Sequence, residues 1–181
     1  TFSGNIYTEY GNVMEQKIRD YVNTSFSGVF RFKEGKHVRE AKGDDPIGVR
    51  CHTDGESVDT VLEIKTTSQI YDKVDDYKVY LVQLLYYMVE TNKTNGLLAV
   101  YERPEDLSED FDPARLHRYT IEIKQYEDLI QEIASAIARF MEDLKKVKEN
   151  PFISEEELLP AEIPDITSRI LAFEYPFLYH R

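Results

Sequence analysis

The sequence predicts an α/β fold in which a mixed β-sheet is flanked by helices, and three observations lead there. Apolar residues recur at helical spacing before residue 23, strand-like runs punctuated by turn signals fill residues 29–66, and helical and strand patterns alternate from about residue 75. A run of strands joined by short turns is antiparallel, whereas strands separated by a helix pair in parallel, so both kinds of pairing are expected in one sheet.

The first helix covers 8–22, where Met14, Ile18, Tyr21 and Val22 mark one face and Asn23 with the following Ser and Gly residues ends the pattern. Residues 29–32, 37–41, 47–53 and 60–66 read as the strands of a β-meander, with turns at Glu34-Gly35, at 43–46 and at Gly55-Glu56-Ser57. Asp75 or Asp76 can cap a second helix that runs to about Thr91. Asn95-Gly96 then leads into 97–102, an apolar run suited to a strand buried on both faces. After an acidic loop at 104–113, residues 119–123 form another strand, and Leu129, Ile130, Ile133, Ile137, Met141 and Leu144 stripe a long helix.

The chain has 181 residues, 41% of them apolar, which suits a single core. The domain is assigned to 1–150. The tail, 151–181, carries an acidic run at 155–157 and alternating aromatics at Phe173, Tyr175, Phe177 and Tyr179, and is expected to pack on the domain or on a neighbouring subunit. The longest apolar run, 80–89, is interrupted by Gln83 and falls short of the ~20 residues of a membrane span, and no charged-then-apolar leader is visible. A soluble, cytoplasmic protein without a membrane partner is expected.

Cys51 is the one cysteine, so neither an internal disulfide nor a thiolate-rich zinc or iron–sulfur site is available, and a catalytic metal would be held mainly by oxygen. The net charge of −12 argues against a protein that coats nucleic acid with a broad basic surface. An enzyme that grips a short stretch of backbone escapes that objection, because a few local cations and a bound divalent ion supply the positive field.

Within 60–66, alternation sends Leu62 and Ile64 to one face and Glu63 and Lys65 together to the other. Alone, that pair is an ordinary solvated ion pair. Asp54 ends the preceding strand at a distance a hairpin can close, although Asp54-Gly55 also reads as a plain turn. Glu15 sits at the edge of the first helix's apolar stripe, where either a metal or an arginine would satisfy a half-buried carboxylate. Gln83 is the strongly polar residue in an otherwise apolar helix. Its amide needs partners, whether a structural bond to backbone or tyrosine or a role in a site, and Tyr80 and Tyr87 share its face with Tyr86 adjacent.

Taken in order, Gly11-x-x-x-Glu15 on a helix, Asp54-Gly55, Glu63-Ile64-Lys65 on a strand and Gln83-x-x-x-Tyr87 on a helix resemble the PD-(D/E)XK nuclease superfamily, and within it the RecB-like and lambda-exonuclease-like branch. The resemblance covers about residues 11–101, and it departs from the pattern at Thr53, where proline is common. It implies a restriction-endonuclease-like mixed sheet and a metal-dependent DNA nuclease, an exonuclease of phage or bacterial recombination and repair. Asp54, Glu63 and the Ile64 carbonyl would ligate Mg²⁺ or Mn²⁺, with Glu15 helping; Gln83 would orient the site and Tyr87 support it. Lys65 is better cast as a positioned ammonium than as a general base, because the surrounding carboxylates favour its charged form. Implied partners are DNA, a single-strand annealing or recombination protein, and further copies of the chain in a homo-oligomer.

His52 shares the strand face of Asp54 and could touch phosphate or metal. Arg31, Lys33, Lys36, Arg39 and Arg50 on the meander are candidates for backbone contacts, or simply solvated charges. Two other classes compete: a nuclease-like fold that binds DNA or protein without cleaving it, and an acidic protein that mimics DNA.

Overall fold

The computed structural model describes residues 5–41 and 48–153. The expected turn at 43–46 and most of the tail therefore lie outside the described residues. Helix α1 (Ile6–Asn23) opens at Asn5, whose side chain accepts the N–H groups of Tyr7 and Thr8 at 3.1 and 3.0 Å. Strands β1 (Lys33–Arg39), β2 (Val49–Glu56) and β3 (Thr60–Thr67) follow, then α2 (Lys78–Glu90), β4 (Asn95–Glu102), β5 (Leu116–Glu122) and α3 (Glu127–Glu149).

The five strands form one sheet in sequence order. β1, β2 and β3 pair antiparallel, β3 and β4 pair parallel across the α2 connection, and β5 returns antiparallel to β4. This is the mixed sheet flanked by helices that the patterning predicts. Helix α1 packs Met14, Ile18 and Val22 against Leu62, Ile64, Leu97, Ala99 and Tyr101 on one face. Leu84, Leu85 and Met88 of α2, with Ile133 and Ala136 of α3, cover Val61, Leu98 and Val100 on the other. β4 is buried on both faces, which is why its sequence is continuously apolar rather than alternating. Among the described residues, no helix is long and apolar enough to cross a membrane.

Several element boundaries differ from expectation for a tertiary reason. Residues 29–32 are not a strand: Gly28 takes a φ of +56° and opens a 3₁₀ turn, Gly28–Phe30, after which Asn23 brackets the Phe32 backbone through its N–H (2.7 Å) and carbonyl (2.9 Å). Glu34-Gly35 and Gly55-Glu56 lie inside strands rather than in turns. Gly55 is there for space, since a Cβ would stand 2.9 Å from that of Phe32 and 3.1 Å from a Leu62 methyl. Neither Asp75 nor Asp76 caps α2; they belong to a separate turn, Val74–Asp76, and Tyr77 begins the helix without a side-chain cap.

Candidate active site

β2 and β3 pair at Glu56↔Val61 and Gly55↔Leu62, and no registered pair lies beyond. Past this point the Ile64 N–H is taken by a side chain, donating to Asp54 Oδ2 at 2.7 Å. On its other edge β2 meets an irregularity, the register of β1 slipping between Lys33 and Gly35. There the Asp54 backbone carbonyl accepts from Arg19 of α1. Asp54 is thus fixed by its side chain to β3 and by its backbone to α1, at the mouth of a gap in the sheet.

Glu63 and Lys65 project into the same region, as strand alternation requires. Glu63 is 1% exposed, and Lys65 Nζ lies 2.5 Å from its Oε1. Among the described residues, no hydrogen-bond donor beyond Lys65 reaches either oxygen of that carboxylate. Burial pushes the Glu63 carboxyl up to about 7, with Asp54 and Glu15 adding to the rise and Lys65 opposing it. Burial likewise raises Asp54, partly offset by the Ile64 N–H and Lys65. For Lys65, burial alone would lower the pKa, but Glu63 and Asp54, with Tyr87 behind them, outweigh it and the net direction is upward. The field therefore holds an ammonium at Lys65.

Gln83 donates from Nε2 to the Tyr87 hydroxyl at 3.0 Å, the tyrosine bond expected of a structural amide, yet its Oε1 is buried with no partner among the described residues. Tyr80, on the same helix, places its ring centroid 5.7 Å from Lys65 Nζ. α2 thus sets Tyr80 and Tyr87 near the Lys65 ammonium, with Gln83 bonded to Tyr87.

Glu15 reaches the field of Asp54 and Glu63, but its direct partner is Arg19, 3.0 Å from Oε1. The arginine alternative left open for a half-buried carboxylate is the contact the fold makes. Sequence reasoning did not single out Arg19, although it stands one turn after Glu15 at the i,i+4 spacing of a helical ion pair. Buried to 5% exposure, its guanidinium also bonds Gln16 and Glu34, so it stitches α1 to β1 and β2 beneath Asp54.

Can these residues hold a hard cation? The Glu63 carboxylate is buried without hydrogen-bond donors beyond Lys65, Asp54 has one oxygen on Ile64, and the Gln83 carbonyl is orphaned; such oxygens suit a hard divalent ion. Among the described residues, no group of three or more His, Cys, Asp or Glu side chains is arranged to hold a metal, and the carboxylates beside Lys65 that could contribute to one are Asp54 and Glu63. Cys51 is buried and its thiol is pushed up to about 11 by burial, with Glu90 and Glu56 adding, which makes it a poor thiolate donor. Among the outlying cations, Arg39 pairs with Glu90 at 3.6 Å, while Arg31, Lys33, Lys36, Arg50 and His52 are exposed.

The architecture has counterparts among solved structures. The alkaline exonuclease LHK-Exo from Laribacter hongkongensis superposes with a TM-score of 0.50 at 16% identity, over 82% of this chain and 74% of that one. This chain has that exonuclease's α/β fold. A phage-related exonuclease from Haemophilus somnus 129PT aligns at TM-score 0.49 and 19% identity over 75% of this chain and 70% of its own, and SSO0001 at 0.45 and 17% over 70%. The chain spans 61% of the length of SSO0001. No family model and no curated protein sequence matches it.

Proposed function

We propose that this chain is a metal-dependent deoxyribonuclease of the PD-(D/E)XK type, acting as an exonuclease. The observation that carries the reading is the buried Glu63 carboxylate, with no donor beyond Lys65 among the described residues, set beside Asp54 and a retained Lys65 ammonium where β2 and β3 part. Buried carboxylates gathered around one ammonium are unfavourable in a purely structural role, and a divalent cation offsets their charge. The exonuclease-like fold supports the same reading.

Asp54 and Glu63, with the Ile64 carbonyl, would hold Mg²⁺ or Mn²⁺, which when bound supplies Lewis-acid stabilisation of the phosphate and activation of the nucleophile. Lys65 contributes a fixed positive charge to the developing phosphorane and orients the attacking water through its N–H bonds. The Gln83 carbonyl accepts a proton-bearing group in the same space, and Tyr87 holds the amide in place. Glu15 acts at one remove, its charge felt at the site while Arg19 fixes it. Phage or bacterial recombination and repair, with a single-strand annealing protein as partner, is the setting the family resemblance implies.

The test is to incubate purified protein with linear and closed-circular DNA in Mg²⁺ or EDTA, alongside Glu63→Ala and Lys65→Ala. Linear DNA should be degraded only with the metal, and either substitution should cut the rate by about 10²-fold or more. Cleavage that persists in EDTA, or variants as active as the parent, would sink the mechanism. Nicking of the circle would replace the exonuclease with an endonuclease.

A further inference from the structure

The exposed face of the β1–β2 hairpin carries a compact cationic patch. Register places Lys36 directly opposite His52 and Val38 opposite Arg50, so these four side chains share one face, and all four are exposed. On β2, Arg50 and His52 occupy alternate positions of the more exposed row, and Asp54, the proposed catalytic carboxylate, follows two residues on, where the register slips, about 13 Å of strand from Arg50. Among the described residues, no carboxylate pairs with Lys36, Arg50 or His52. Arg39 and His37, by contrast, are engaged with Glu90 and Glu56.

Edge-strand protection accounts for a lysine on β1, but not for Arg50 and His52 on the inner strand β2. Lys36 and Arg50 stand diagonally across the strand pair, close enough for like charges to repel, in a chain of net charge −12 where carboxylates to neutralise them abound. An anionic ligand resolves that arrangement. We propose that Lys36, His52 and Arg50 form a phosphate track on which one strand of DNA lies as it is led to Asp54. The proposal rests on the nuclease reading and adds to it the direction of approach, over the hairpin rather than across α2.

Each phosphate contact contributes about 0.7 to 0.9 to the dependence of log affinity on log salt. Binding of a fluorescein-labelled oligonucleotide, single-stranded and annealed, is measured by anisotropy in EDTA over a sodium chloride series. The proteins compared are the parent, the double variant Lys36→Gln with Arg50→Gln, and Lys148→Gln on the exposed side of α3. The double variant should bind with a slope shallower by about 1.5, while Lys148→Gln matches the parent. In Mg²⁺ it should raise KM and leave kcat near the parent value, and Arg50→Lys should recover most of the loss. A parent that binds DNA with a slope the double variant does not change overturns the track and leaves the nuclease reading standing. A parent that binds neither form in EDTA overturns the track, and a parent that also neither binds nor cleaves DNA in Mg²⁺ overturns both.

Discussion

Burial sets the ionisation of Glu63, and the sign of its effect on stability follows. Its carboxyl is pushed up to about 7 in the folded chain, from an ordinary value of 4.5. The favourable contribution of the protonated form is complete below about pH 4.5 and is lost as pH rises through about 7, a change of roughly 3 kcal/mol at most. Thermal melts in EDTA should therefore show a midpoint that falls between pH 5 and pH 8. Glu63→Gln, which cannot ionise, should flatten that fall, and Mg²⁺ should raise the parent's midpoint at pH 8 far more than the variant's. A parent with a flat profile in EDTA would mean that the carboxylate is already compensated. At this scale the sequence was informative: the two-residue period of a strand is enough to send Glu63 and Lys65 to one side. It could not show that Asp54 Oδ2 takes the Ile64 N–H, because that bond exists only where the sheet opens.

Helix α1 is joined to the hairpin by one guanidinium. Arg19 touches Glu15, Gln16, Glu34 and the Asp54 carbonyl from a buried position, so its loss unties three elements at once, although Gln16 and Glu34 are exposed and can turn to water. Arg19→Met should destabilise the fold by about 1 to 2 kcal/mol. Arg19→Lys keeps the charge but not the fork, and should raise the Mg²⁺ concentration needed for half-maximal cleavage while leaving most of the stability, measured by urea unfolding beside the metal titration. If both variants respond to Mg²⁺ as the parent does, Arg19 is a fastener and not a positioning residue.

The α2–β4 contact is tight for a different reason. A Cβ at Gly96 would come within 2.7 Å of Met88 Sδ and 2.9 Å of Ile121 Cγ1, so Gly96→Ala should cost about 1 to 3 kcal/mol by overpacking, read as a lower urea midpoint. Gly35 and Gly55 read as turn residues, and Asn95-Gly96 as the lead into a strand rather than its start, because a glycine that makes room for a neighbour has the same letter as one that bends the chain. Helical and strand periods were legible because they are local. Where a strand begins or ends depended on what packed across it, as the 3₁₀ turn at Gly28–Phe30 shows.

Across the whole molecule, the sheet is joined unevenly. Eight registered pairs bind β3 to β4, and two bind β2 to β3. The order of elements, and so the architecture, could be read from the alternation of patterns, but this weak seam could not, since nothing in the periodicity of β2 distinguishes a paired residue from one beside a gap. The seam divides the protein into a three-stranded plate clasped between helices and a two-stranded flap attached along a short hinge line. Such a flap should open as a unit of its own, its amides exchanging with deuterium at a lower free-energy cost than those of β3 and β4. Asp54 rides on the flap and Glu63 on the plate, so an ion held by both is a latch across the hinge. Exchange measured with and without Mg²⁺ should slow in β1 and β2 and change little in β4; uniform protection across the sheet in both conditions would mean that the flap never lifts.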